Sequence, residues 1–188
     1  MPENPYIRLI NQKHPLPEDF VPDCLTDIGL PFDALPGDEK RLLEARTAKA
    51  ALRLIRAAAA EGLNHCAISG YRSYARQKKL YSGSPYVAPP GTSEHQSGLA
   101  LDLSCPEIKM QLIKEFAFTP EGTWLTRNAA LYGFIIRYPQ NKEHITGIPY
   151  EPWHIRYVTK PLAAYLSMTG MTLEEYHALH DNIPLPDS

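Results

Sequence analysis

Between residues 99 and 105 the chain alternates with a period of two. Leu99, Leu101 and Leu103 fall on one side, and Ala100, Asp102 and Ser104 on the other. That spacing reads as a β-strand. Its leucine side requires an apolar layer to pack against. Its other side carries one carboxylate between small residues, so Asp102 is aimed at a cavity from a rigid element. Gly98 lets the backbone turn just ahead of the strand and brings His95 beside Asp102.

A long core helix is expected from Asp38 to about Gly62. Leu42, Ala45, Ala48, Leu52, Ile55 and Ala59 recur at steps of three and four, with Asp38 as N-cap and Gly62 as C-cap. Cys66 to Gly70 reads as a short strand, Ser73 to about Tyr81 as a second helix, and the Pro/Gly-rich stretch from Ser82 to Thr92 as a loop. A helix from about Glu121 to Leu131, closed by Gly133, precedes strands at Phe134–Tyr138 and Trp153–Val158 that flank a polar loop. Two short helices, about Pro161 to Met168 and Leu173 to His180, end the pattern. Residues 1–36, rich in proline, read as an extended arm with a short strand, packed on the rest. Strands and helices interleaved this irregularly imply an α+β fold with a small antiparallel sheet and flanking helices, not regular βαβ units. The 188 residues suit a single domain spanning 1–188.

Composition narrows the function classes. A net charge of -2 supplies no broad positive field for nucleic acid, and no run of about 18 apolar residues exists to span a membrane. The three cysteines, Cys24, Cys66 and Cys105, are odd in number and far apart, which favours reduced thiols over a disulfide framework. Together with an N-terminus lacking the features of a secretory signal, this gives the expectation of a cytoplasmic protein.

Three distant segments carry the chemistry: Ser69-Gly70-Tyr71-Arg72-Ser73, Ser93 to Asp102, and Glu151-Pro152-Trp153-His154. Two histidines and one carboxylate, His95, His154 and Asp102, are the ligand types of a catalytic zinc site with one position open to water. Glu151, three residues from His154, is placed to accept the water's proton, and Arg72 to meet the charge on a tetrahedral intermediate. Taken singly, each residue has an ordinary reading: His95 a loop or core histidine, Asp102 a cap, Glu151 a solvated charge, Arg72 a helix cap, Trp153 core. Residue chemistry alone leaves both readings open. His177 and His180, spaced i, i+3, read as a surface helix. Cys105 falls on the leucine face of its strand, so it reads as a buried structural thiol.

The order of the motifs resembles a family. Gly70-Tyr71-Arg72-Ser73 with Gln77, then Ser93-x-His95-x-x-Gly98-x-Ala100-x-Asp102, then Glu151-Pro152-Trp153-His154-x-Arg156-Tyr157 is similar to the zinc D-alanyl-D-alanine carboxypeptidases. That family includes vancomycin-resistance enzymes and shares a superfamily with D-Ala-D-Ala dipeptidases and the Hedgehog signalling domain. The likeness extends to Asn11–Pro17, Gly133–Pro139 and Thr172–Tyr176, with no departure at the central positions. It implies a Hedgehog/D-Ala-D-Ala peptidase-like α+β fold and a Zn2+ cofactor held by His95, Asp102 and His154. It further implies Glu151 as catalytic base, Arg72 steadying the polarised carbonyl, and substrate contacts from Gln77, Ser93, Trp153 and Tyr71. The substrate expected is a peptidoglycan precursor peptide ending in D-Ala-D-Ala. A dual D,D-dipeptidase/carboxypeptidase and an L,D-carboxypeptidase are the rival activities. A non-catalytic zinc-binding module is the rival class, which the presence of both Glu151 and Arg72 disfavours. The loop from Ser82 to Pro90 and the stretch from Asn141 to Gly147, with Glu143, are expected to bound the site mouth.

Overall fold

The computed structural model describes residues 4–27, 29–84 and 87–181. Its strands are β1 (Leu25–Thr26), β2 (Leu43–Glu44), β3 (Cys66–Ser69), β4 (Ala100–Ser104), β5 (Phe134–Tyr138) and β6 (Glu151–Tyr157). Its helices are α1 (Ala45–Ala60), α2 (Tyr74–Leu80), α3 (Pro120–Asn128), α4 (Glu143–Thr146), α5 (Lys160–Thr169) and α6 (Leu173–Asp181). Four strands pair in the order β3-β4-β6-β5, antiparallel throughout, and β1 and β2 form a separate antiparallel ribbon. This is the α+β architecture that the sequence implies.

β4 works as its alternation requires. Leu101, Leu103 and Cys105 belong to one buried cluster with Ala48, Ala51, Leu54, Ile55 and Ala58 of α1. The opposite side is buried as well: Ala100, Asp102 and Ser104 are at most 4% exposed. A polar face shut away from water is where a site with its own partners is expected.

The long helix starts later than its periodicity suggests. Asp38 caps only a 3-10 turn over Glu39–Arg41, after which Leu43 and Glu44 extend and pair with Thr26 and Leu25. The Glu44 carboxylate then accepts from the Arg46 and Thr47 amides and caps α1. Three- and four-residue spacing does not exclude a two-residue strand, and the partner that enforces it lies 17 to 19 residues away. β6 also departs from expectation, because it begins at Glu151, which pairs with Tyr138. Pro152 is tolerated there because the β5–β6 register shifts between Ile136 and Tyr138, and the β4–β6 pairing reaches only to His154. The helix ending near Leu131 is α3 to Asn128 followed by a 3-10 turn over Ala129–Tyr132. The polar loop before β6 contains α4.

Within residues 1–36, Leu9, Ile10 and Leu16 are buried, and β1 is the strand of this stretch. Leu9 joins a second cluster with Ile135, Val158, Leu162, Leu166 and Leu173. Part of the Ser82 to Pro90 loop, Pro85 and Tyr86, lies outside the described residues. Among those described, no helix is long and apolar enough to cross a membrane.

Candidate active site

The site forms where β4 and β6 pair. Asp102 and His154 are direct cross-strand partners, and Ser69 of β3 pairs with Asp102 from the other side. Because side chains alternate along a strand, this register puts Asp102 and His154 on one face; a one-residue slip would separate them. His95 comes from the 3-10 turn Glu94–Ser97, which ends at Gly98 in the left-handed region with φ 68°. A Cβ at Gly98 would also lie 2.9 Å from the Glu44 backbone nitrogen, so glycine is required there twice over.

Asp102 lies between the two imidazoles. Its Oδ2 is 3.1 Å from His95 Nε2 and its Oδ1 is 2.9 Å from His154 Nδ1. Each of the three residues is 4% exposed. The other nitrogen of His95, Nδ1, is 2.6 Å from the Gly70 carbonyl oxygen. That carbonyl can only accept, so Nδ1 carries the proton and Nε2 presents its lone pair to the site. One donor atom from each residue lies within 4.8 Å of the others, the only such three-residue grouping among the described residues. Burial works to raise the Asp102 carboxyl, but His95 and His154 outweigh it and hold the group well below the ordinary carboxylate range. Burial lowers the His95 imidazole. It works against the protonated form of His154 too, yet Asp102 and Glu94 outweigh it and push that imidazole up to about 9. The arrangement therefore favours a cation at this point, and two imidazoles with one carboxylate are the donors that suit Zn2+.

Around these three side chains lies a cavity of about 620 Å3, lined also by Arg72, Ser93, Glu151 and Trp153. Glu151 is buried, with Oε2 3.9 Å from His154 Nδ1. Burial pushes its carboxyl up to about 7 while His154 works the other way. Arg72 leaves the end of β3 and donates to Gln77 Oε1 at 2.8 Å and to Ser69 Oγ at 3.1 Å. Gln77 in turn donates to the Ala88 carbonyl at 2.6 Å.

Seven of the nine sequence-derived positions thus converge on one cavity, while Gln77 and Tyr71 lie outside its wall. Gln77 is wholly buried behind Arg72. Its link to Ala88 ties the arginine to the loop at the cavity's edge. The remaining histidines are elsewhere: His177 contacts the Ile7 carbonyl and His180 that of Tyr176, while His65 is buried beside Phe116 and Trp124. Burial raises the Cys105 thiol, as a structural cysteine requires.

Two features were not assigned a role from sequence. Tyr138 lines the cavity with its ring 5.0 Å from that of His154. Glu94 is buried against Arg137 and Arg156. A charged residue inside the apolar run Phe134–Tyr138 was the local sign that Arg137 has a buried partner.

Comparison with known families decides the lineage. The profile of the VanY family, D-alanyl-D-alanine carboxypeptidase, matches residues 40–160, which span every site residue above. The chain belongs to this family. Among relatives of the VanY-type chain, YodJ of Bacillus subtilis (strain 168) is 41% identical over 185 residues, covering 93% of this chain and 67% of that protein. The solved structure of the LdcB LD-carboxypeptidase superimposes with a TM-score of 0.89 at 40% identity, covering 94% of this chain and 88% of the other. A vancomycin-resistance D,D-pentapeptidase, VanY from a VanB-type resistance cassette solved with Zn(II), gives 0.75 at 30% identity, covering 93% and 99%.

Proposed function

We propose that this carboxypeptidase is a zinc enzyme that hydrolyses the terminal D-Ala-D-Ala bond of peptidoglycan precursor peptides. The observation that carries the reading is the convergence on one cavity of the His95–Asp102–His154 donor set, a buried carboxylate at Glu151 and a fixed cation at Arg72. His95, Asp102 and His154 would hold Zn2+, which would supply Lewis acidity towards the scissile carbonyl and the attacking water. Glu151, raised to about 7, takes the proton from that water as its oxygen adds to the carbonyl carbon. It then delivers the proton to the leaving nitrogen as the C–N bond breaks, so the products are a shortened peptide and D-alanine. Arg72, held by Gln77 and Ser69, meets the negative charge that develops on the carbonyl oxygen. Trp153 supplies an apolar wall beside the reacting bond, and Ser93 a hydroxyl at the cavity edge.

The surroundings favour a long peptide over a free dipeptide. A second cavity of about 660 Å3 adjoins the first and shares Ala88, Tyr138 and Ile148 with it. That gives the chain upstream of the scissile bond somewhere to lie. Of the two stretches expected to bound the mouth, Val87 and Ala88 line the first cavity, and Ala88, Pro89 and His144 to Gly147 the second. Glu143 lines neither.

A second reading, L,D-carboxypeptidase on tetrapeptides, is favoured by the LdcB structure, which matches at both higher identity and higher TM-score than the D,D-pentapeptidase. Incubating the zinc-loaded protein with pentapeptide, tetrapeptide and free D-Ala-D-Ala separates the activities. The expected outcome is D-alanine release fastest from pentapeptide. Faster release from tetrapeptide would replace the D,D reading with the L,D one, and faster cleavage of free dipeptide would make the enzyme a dipeptidase.

A further inference from the structure

Two buried polar atoms beside the donor set lack a hydrogen-bond partner, and they face each other. His154 Nε2 and Glu94 Oε2 are 3.5 Å apart, both fully enclosed. The other oxygen of Glu94, Oε1, is fully engaged: it accepts from Arg137 Nε and from Arg156 Nη1, each at 2.7 Å. Two guanidinium groups therefore fix the carboxylate and compensate its charge, leaving Oε2 free to point at the imidazole. Both arginines are anchored in turn. Arg137 donates through both terminal nitrogens to Glu174 of α6, and Arg156 to the Arg8 carbonyl of the arm.

From this geometry we infer that Glu94 is the positioning residue of His154. It fixes the tautomer in which Nε2 carries the proton and Nδ1 offers its lone pair beside Asp102. The inference rests on the metal-site reading above. His154 Nδ1 lies 2.9 Å from Asp102, so the same ring's Nε2 points away from the donor set and needs an acceptor when Nδ1 is unprotonated. Glu94 Oε2 is the carboxylate in place. The two histidines are thereby held differently: a backbone carbonyl backs His95, and an ionised side chain backs His154. A carboxylate partner raises the basicity of the ligating nitrogen more than a carbonyl does, and losing such a partner typically costs about 10–100-fold in metal affinity. Glu94 touches no reacting atom in this account and acts only through the ring.

Zinc affinity and ring protonation test the assignment. Zinc bound by the unaltered protein is measured first by competition with a chromophoric chelator; a protein that takes up no zinc defeats the metal-site reading itself. If zinc binds, Glu94→Gln is expected to weaken it about 10–100-fold. Gly62→Ala, strained at φ 83° with nothing within 4 Å of its Cβ and outside this network, should lower the melting temperature and leave zinc affinity where it was. Equal zinc affinity in folded Glu94→Gln and unaltered protein overturns the inference, as does an equal loss in Gly62→Ala. Should Glu94→Gln fail to fold, the decision passes to 15N-histidine NMR of the unaltered zinc protein. His154 is expected to show a protonated Nε2 with a downfield, slowly exchanging proton. A protonated Nδ1, or a rapidly exchanging Nε2 proton, overturns it.

Discussion

Glu151 and Arg72 share a cavity but are prepared for opposite tasks, and their surroundings say how each should fail. Burial lifts Glu151 from the ordinary 4.5 to about 7. A general base must be ionised, so kcat/KM should rise with pH along an acid limb lying no higher than about 7, since a bound zinc ion nearby lowers the value further. Glu151→Gln should remove most turnover, about 10²–10⁴-fold, while zinc stays bound. The same shift has a cost for the metal-free protein. A folded state that holds the proton more tightly than the unfolded chain loses stability as pH rises from about 4.5 to 7, on the order of 1–3 kcal/mol. Chelator-treated Glu151→Gln should therefore melt higher than chelator-treated unaltered protein above pH 7, and an equal or lower melting temperature would count against the buried, raised carboxylate. For Arg72, the expected loss on Arg72→Ala is in kcat, about 10²–10³-fold, as for other removed oxyanion donors. Gln77→Ala should give a smaller loss of the same kind, because Gln77 holds the guanidinium and lies behind it. Steady-state kinetics showing a KM effect alone in Gln77→Ala would return that residue to direct substrate contact.

At the scale of elements, the site depends on a close crossing. The chain leaving β3 donates from Gly70 and Tyr71 amides to the Lys40 and Leu42 carbonyls. A Cβ on Gly70 would come 2.9 Å from one of those oxygens and 2.5 Å from the other. The Gly70 carbonyl is also the one that orients His95. Gly70→Ala should thus cost on the order of 1–3 kcal/mol through overpacking and weaken zinc binding with it. Gly62→Ala, strained at φ 83° but with nothing within 4 Å of its Cβ, should lower the melting temperature alone. Parallel thermal melts and zinc titrations of the two variants decide this. The same crossing marks where sequence reasoning works and where it stops. β4, α2 and the His95–Asp102 pairing are written in short-range patterns: a two-residue alternation, a serine cap, a glycine three residues after a histidine. The start of α1 is not, because Leu43 and Glu44 are held extended by β1. Nor is the placement of Glu151 inside β6, since Pro152 argues for a turn unless the bulge opposite it is known. Glu94 was in plain view beside His95, but its meaning depends on arginines 43 and 62 residues further along.

Across the whole molecule, elements far apart in sequence meet at the donor set. The arm reaches it through Arg8 and Arg156, α6 through Glu174 and Arg137, and α2 through Gln77 and Arg72. Metal binding should accordingly be felt globally. A ligand that binds only the folded state at 100 times its Kd adds about 2.7 kcal/mol, so zinc should raise the melting temperature of the entire cooperative unit and not of a local segment. The most direct measurement of the central claim joins metal to chemistry: strip the protein with chelator, return Zn2+ in steps, and follow D-alanine released from pentapeptide. The account predicts negligible release from the stripped protein and a rise that saturates near one zinc per chain. Undiminished release after exhaustive metal removal, or none at full zinc occupancy, would contradict it.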